Sequence, residues 1–262
     1  MLAIDLSGKV AVVTGVSSGI GKGIAKMLAK AGCAIAGCGL RDASSTSVIS
    51  FYQEVEEEGQ KAIYVSCDVT KTEDLERFVK EVISSFGKID ILISNAGINV
   101  FKGAENCSLE DWEVNHNLNL KSHWYLSKLC KPYLDESDVG VIEIMASNHA
   151  YTSIPGCFPY NVTKTALTGL VRSMAIEWGP KIRVVGLAPG FIQTEGADKW
   201  FNSFDDPKAE RERTEKRHPV NKLGSVEEVG AQCAFLASPY SAFITGTTIL
   251  MDGGRGAIMQ DD

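Results

Sequence analysis

Short apolar runs alternate with longer amphipathic stretches along this 262-residue chain, and that rhythm limits the fold more than any other feature. The apolar runs lie at 10–14, 34–38, 62–67, 89–94, 141–146, 183–187 and 247–251. Between them, apolar residues recur with helical spacing at 20–31, 45–58, 72–86, 109–134, 160–178 and 226–237. A strand whose residues are nearly all apolar is one covered on both faces, and only helical crossovers cover both faces of a sheet. The pattern therefore predicts a doubly wound α/β fold: a parallel sheet of about seven strands with helices on both faces. No linker-like Pro/Gly/Ser stretch and no internal repeat divides the chain, so residues 1–262 read as one domain.

One segment departs from the rhythm. Residues 191–223 contain no strand and mix Trp200, Phe201 and Phe204 with many charges. Long insertions after a strand's C-terminal end are where α/β enzymes place substrate lids. The basic residues at 208–218 are interleaved with Glu210, Glu212 and Glu215, as on a solvated helix face. With a net charge of −7, the chain as a whole repels phosphate backbones, which argues against nucleic acid as a partner. Seven cysteines, an odd number without a Cys-x-x-Cys pair, fit neither a disulfide frame nor a zinc cage and read as buried free thiols. No ligand cluster for a metal is evident. The start of the chain has no long apolar run, so neither a signal peptide nor a membrane span is expected, and the cytoplasm is the expected location.

The first strand runs into Thr14-Gly15-Val16-Ser17-Ser18-Gly19-Ile20-Gly21, which opens the first helix. Glycines at such a turn let the backbone approach a pyrophosphate, and the helix N-terminus offers free N–H groups and the positive end of its dipole. This makes the sheet Rossmann-like, although the spacing Gly-x3-Gly-x-Gly differs from the ordinary dinucleotide fingerprint, and no Gly-Lys-Ser/Thr of a Walker loop follows.

From here the chain resembles the short-chain dehydrogenase/reductase family, single-domain branch, over nearly its whole length. The motifs that carry the resemblance occur in order: Cys67-Asp68-Val69, Asn95-Ala96-Gly97, Pro189-Gly190 with Thr194 four residues on, Thr245-Gly246, and Asp252-Gly253-Gly254. The resemblance implies that Gly15, Ser17, Ser18, Gly19, Ile20 and Gly21 hold the pyrophosphate end of NAD or NADP. It also implies that Asp68 and Val69 meet the adenine, and that Asn95, Ala96 and Gly97 support the cofactor from the central sheet. Pro189, Gly190, Ile192 and Thr194 would then border the nicotinamide. The family's sixth strand usually ends with an asparagine where this chain has Val185.

Tyr160 and Lys164 stand at i and i+4 of a predicted helix and share one face. A free phenol titrates near ~10, too high for a base at neutral pH. A neighbouring ammonium and the positive ring of an oxidised nicotinamide favour the phenolate, so Tyr160 is expected to be shifted towards working pH. Ser147 precedes Tyr160 by the family's separation for a catalytic serine and would polarise the substrate oxygen. Asn119, placed by the register Trp112-x6-Asn119, completes the tetrad by resemblance: it would kink the long helix and hold a water linked to Lys164. Asn115 and Asn117 lie close by but fit that register less well.

These residues predict an NAD(P)-dependent oxidoreductase that moves a hydride between nicotinamide and a secondary alcohol or carbonyl. Gly39 stands where an NAD-preferring member carries an acid, and Arg41 follows it, which leans towards NADP and leaves NAD open because Asp42 is adjacent. Glycine at 37 and 39 of a strand marks close backbone approach. Ser147, Asn148, His149, Tyr160 and Gln193 are candidate substrate contacts. They favour a sugar, polyol or sugar acid, in a pattern similar to the bacterial glucose dehydrogenase branch, although His149 reads equally as a supporting or surface residue. The alternatives are an NADPH-dependent 3-oxoacyl or steroid-type ketone reductase and, of another class, a catalytically idle dinucleotide sensor. By resemblance the chain pairs into dimers or tetramers through 109–134, 160–178 and the stretch 244–251.

Overall fold

The computed structural model describes residues 3–259. The ends of the 1–262 span, including the Met1 at which the N-terminal reading began, lie outside the described residues. Seven parallel strands form one sheet in the order β3-β2-β1-β4-β5-β6-β7. They are β1 (Val10–Thr14), β2 (Ala34–Gly39), β3 (Ala62–Ser66), β4 (Ile91–Ser94), β5 (Val141–Met145), β6 (Arg183–Pro189) and β7 (Thr248–Met251). Each lies where an apolar run predicts it. The bounds differ by at most two residues, because ladder pairing rather than hydropathy sets where a strand ends.

Period-two alternation divides the strands between two cores. Ala11 and Val13 of β1 join α1 (Gly19–Lys30), α2 (Thr46–Glu57) and α9 (Val226–Ala237) on one face. Val10 and Val12 join α3 (Thr72–Phe86), α5 (Ser122–Leu134) and α6 (Tyr160–Trp178) on the other. Strand order reverses between β1 and β4, which opens a crevice at the C-terminal ends of those two strands.

The helix expected over 109–134 is interrupted. It runs as α4 (Leu109–His116), a π-helical turn Asn117–Lys121, and α5. Hydropathy cannot register such a turn, because the added residue preserves an apolar face. Its cause is a tertiary contact: the Asn119 side chain bonds the backbone of Ile98 on the neighbouring loop. The segment 191–223 carries two helices, α7 (Glu195–Phe201) and α8 (Pro207–Lys216), over a small apolar cluster of Ala197, Phe201 and Leu223. Asp206 caps α8 by accepting the Ala209 N–H at 2.9 Å, with Pro207 at the first helical position.

Six of the seven cysteines are buried, Cys107 is partly so, and all seven are free thiols. No helix among the described residues is long and apolar enough to cross a membrane.

Candidate active site

At the crevice, β1 ends on Thr14, whose hydroxyl accepts the backbone N–H groups of Asn95 (2.9 Å) and Ala96 (2.8 Å). The Asn95 amide returns a bond to the Thr14 carbonyl at 2.9 Å. The Cys38 carbonyl of β2 accepts the N–H groups of Gly15 and Val16, so the glycine turn is tied to strands on either side. Gly15 adopts φ +78°, a left-handed conformation open to glycine. A Cβ on Gly21 would lie 2.3 Å from the Gly15 carbonyl, so any side chain there would break the turn. Ser18 precedes α1 without its side chain capping the helix, which leaves the first-turn N–H groups facing the crevice. Across it, the Thr194 methyl comes within 3.5 Å of the position of a Gly19 Cβ, so the loop after β6 faces the glycine turn. Ile192 is buried and bridges to Gly224, and Pro189 and Gly190 close the end of β6 against Asp252.

The ends of β2 and β3 border the same crevice. Gly37 admits Val16 and Gly39 admits Tyr64 and Ser17, the close approach expected of glycines in β2. Tyr64 donates to the Arg41 carbonyl at 2.8 Å and anchors the exposed arginine's loop. Asp42 is turned away into a local bond with the Ser44 N–H (2.8 Å) and hydroxyl (2.6 Å). Asp68 follows β3 and accepts the Thr70 N–H and hydroxyl, beside the buried Val69. The fit to a dinucleotide therefore rests on three features: a turn whose glycines admit no Cβ, an open helix N-terminus and a gap at Gly39 where a strand-end side chain would stand.

The sheet then brings Asn119, Ser147, Tyr160 and Lys164 together, and all four are buried. Ser147 follows β5, and Tyr160 opens α6 with Lys164 one turn along. The Lys164 ammonium nitrogen donates to the Met145 carbonyl at 2.8 Å and lies 5.6 Å from the Tyr160 ring centre. The Ser147 oxygen accepts the His149 N–H at 3.2 Å and donates to Asn148 Oδ1 at 3.3 Å. Asn119 accepts the Ile98 N–H and donates to the Ile98 carbonyl and to Asn115 Oδ1 (2.8 Å). Asn115 in turn donates to the Pro159 carbonyl at 3.1 Å, just before Tyr160. Asn115 thus joins the π turn to the start of α6. Its signal in the sequence is its i, i+4 spacing from Asn119.

Two features bear on the expectations drawn from the sequence. Burial pushes Tyr160 up to about 12, and the nearby Ser147 hydroxyl offsets only part of that shift. In the protein itself, desolvation thus outweighs the neighbours that favour the phenolate. Lys164 cannot reverse this, since burial pulls its own value down to about 7. The second concerns Gln193. Its amide donates to Asp198 at 2.7 Å and accepts from Arg211 at 2.5 Å, which commits it to a network within the α7–α8 segment, apart from Asn148 and His149. His149 sits at the site, edge-on to the rings of Phe101 and Tyr160, whose centres lie 5.8 and 6.0 Å away. Phe101 itself meets Tyr160 edge-on at 5.3 Å. No pattern in the sequence marks Phe101, because it reaches the site from an irregular loop.

The family described as enoyl-(acyl carrier protein) reductase matches residues 15–255. Human dehydrogenase/reductase SDR family member 4 is 34% identical over 252 residues, 95% of this chain and 88% of that protein. The 3-oxoacyl-[acyl-carrier-protein] reductase FabG of Thermotoga maritima is 34% identical over 251 residues, 95% of this chain and 98% of that one. Among solved structures, aldohexose dehydrogenase of Thermoplasma acidophilum superposes with a TM-score of 0.89 at 27% identity, covering 100% of this chain and 99% of that one. With the glycine turn, the parallel sheet and these relatives together, the chain belongs to the short-chain dehydrogenase/reductase family, enzymes that use NAD(P) to oxidise alcohols and reduce carbonyls.

Proposed function

We propose that this enzyme interconverts a secondary alcohol and a ketone on a sugar, polyol or sugar acid, with NADP as the preferred carrier. The observation that carries this reading is the convergence of Ser147, Tyr160 and Lys164 beneath an open glycine turn. Nicotinamide, when bound, would supply the hydride carrier and, in its oxidised form, a positive charge that favours the phenolate. Ser147 bonds the substrate oxygen, and Tyr160 gives that oxygen a proton in reduction or takes one in oxidation. Lys164, which burial brings down to about 7, favours its protonated form as negative charge develops on Tyr160 and passes protons towards Asn119 and solvent. Asn119 and Asn115 hold the π turn against Ile98 and Pro159, which positions this end of the site.

Asn148 and His149 support a hydroxylated substrate, as does the likeness to an aldohexose dehydrogenase. A specific observation favours the second reading, a ketone reductase for acyl or ring substrates: Phe101 lines the Tyr160 face and is 44% exposed, offering an apolar wall. The test is reduced-nicotinamide absorbance with sugars, polyols and ketones. Turnover of polyols supports the first reading, and turnover confined to ketones lacking further hydroxyls supports the second.

NADP preference is supported by Gly39, by Arg41 on its anchored loop and by the diversion of Asp42. Arg41→Ala is expected to lower kcat/KM for NADP by about tenfold to a hundredfold, the worth of a charge-assisted contact, with NAD kinetics changed by about twofold or less. Equal losses for both cofactors would refute the assignment. We also propose that segment 191–223 acts as the substrate lid and that one domain spans the chain. Seven free thiols suit a reducing compartment such as the cytoplasm. Trp112, Trp124 and Val114 on α4 and α5, with Ile176 of α6 and Phe243, are exposed apolar residues suited to burial between copies. Light scattering is expected to report a dimer or tetramer, and a monomer at micromolar concentration would exclude it.

A further inference from the structure

Three segments distant in sequence meet beside His149. Gly253 and Gly254, just after β7, pack so closely on His218, Pro219 and Val220 that a Cβ on Gly254 would lie 2.9 Å from the Pro219 ring. The Val220 N–H also donates to the Gly253 carbonyl at 3.3 Å. Arg217 and Arg255 adjoin this contact, one residue outside it on either segment, and Arg217 is near enough to act on Arg255 as a like charge. The turn Arg255–Ala257 lies against the loop that follows Ser147: a Cβ on Gly256 would be 3.4 Å from the Thr152 hydroxyl. Tyr151 of that loop donates to the Thr248 carbonyl at 3.0 Å, which holds the loop on β7.

The charges of this cluster are not balanced. Arg213, one helical turn before Arg217, is neutralised by a two-pronged bond to Glu210 at 2.7 and 2.5 Å. Asp252 uses its carboxylate on the N–H groups of Gly254 (3.0 Å) and Gly256 (2.6 Å). Arg217 and Arg255 make no ion pair with a carboxylate among the described residues. Burial, and then Arg217, hold Arg255 below the ordinary arginine range, against a smaller opposing effect of Asp252. His149 is likewise held low, first by burial and then by Arg255, so the cationic field reaches the ring that stands edge-on to Tyr160. A chain gains nothing for stability by setting two cations side by side. An anion that docked there would relieve the repulsion and bind both guanidiniums.

We propose that Arg217 and Arg255 form an anion subsite that receives a carboxylate carried by the substrate, a short carbon chain away from the carbon that reacts at Tyr160. This inference rests on the reading of the site as an alcohol/carbonyl oxidoreductase and narrows its substrate to hydroxy or oxo acids, sugar acids among them. Arg217 lies at the end of α8, so the anion would also bind the α7–α8 segment to the body of the enzyme.

The test is calorimetric titration of the NADP-saturated enzyme with two pairs of probes: gluconate against sorbitol, and 3-hydroxybutyrate against 2-butanol. Each acid is expected to bind about tenfold or more tightly than its neutral partner. Arg217→Gln and Arg255→Gln are expected to erase that preference, Arg255→Lys to keep part of it, and NADP affinity to stay unchanged in all three. Acids and neutral partners binding alike, acids not binding at all, or a preference that survives both glutamine variants would overturn the subsite. The hydroxylated pair failing to surpass the simple pair would instead refute the polyol reading and leave the comparison of charge standing.

Discussion

Tyr160→Phe is expected to lower kcat by about a thousandfold, roughly 4 kcal/mol of transition-state stabilisation, while the affinity for NADP stays unchanged. The substitution removes one oxygen and keeps the ring, so the edge-on contacts with Phe101 and His149 survive. Lys164 retains its bond to the Met145 carbonyl, and the glycine turn has no contact with the phenol oxygen. What disappears is the group proposed to exchange a proton with the substrate oxygen. Because burial holds the phenol near 12 in the protein itself, the oxidation rate of the wild type should rise with pH as the proton is drawn off. The variant should lose that dependence along with its activity. Cofactor titration by fluorescence and steady-state kinetics across pH make the measurement, and a variant that turned over as fast as the wild type would remove Tyr160 from the mechanism.

A second large effect concerns stability. Glu143 sits in the middle of β5, fully buried beside Cys233, and neither of its carboxyl oxygens has a hydrogen-bond partner among the described residues. The Cys233 thiol, and then Arg183, favour the charged form, but Arg183 spends its own donors on the carbonyls of Leu236 (2.7 Å) and Ile244 (3.3 Å). Burial therefore wins and pushes Glu143 up to about 8, so the folded protein carries it as the neutral acid at pH 7. The folded pKa is the higher of the two. Folding is thus unpenalised below the unfolded value of 4.5, and stability falls as pH rises from there, levelling off above about 8. At pH 7 the cost is on the order of 3 kcal/mol. Glu143→Gln keeps the shape and removes the ionisation. It is expected to raise the melting temperature by roughly 5–10 °C at pH 7 and by little at pH 4.5. Thermal unfolding of both proteins between those pH values checks this, and parallel profiles for the two would show that Glu143 titrates alike in the folded and unfolded states.

The two effects differ in how far they can be read without coordinates. Tyr160 and Lys164 declare themselves through an i, i+4 spacing, and the glycine turn through its place between a strand and a helix. Glu143 gives no such sign, because it is one charged residue in an apolar run and the run alone does not say what packs against it. Gln193 is the opposite case: it stands beside cofactor-facing residues in the chain, but Asp198 and Arg211 draw its amide away.

What the chain determined by itself is whatever depends on neighbours a few residues apart. The seven strands, α3, α6 and α9, the glycine turn and the Tyr–Lys pair follow from periodicity, from turn residues and from the reach of a helical face. Tertiary structure alone decided the π turn at Asn117–Lys121, the bond from Asn115 to Pro159, the upward shift of Tyr160 and the packing of Gly253 and Gly254 on His218, Pro219 and Val220. Each of these depends on desolvation or on a partner that is remote in sequence. Such partners become neighbours only when the sheet is assembled, so no local pattern can encode them.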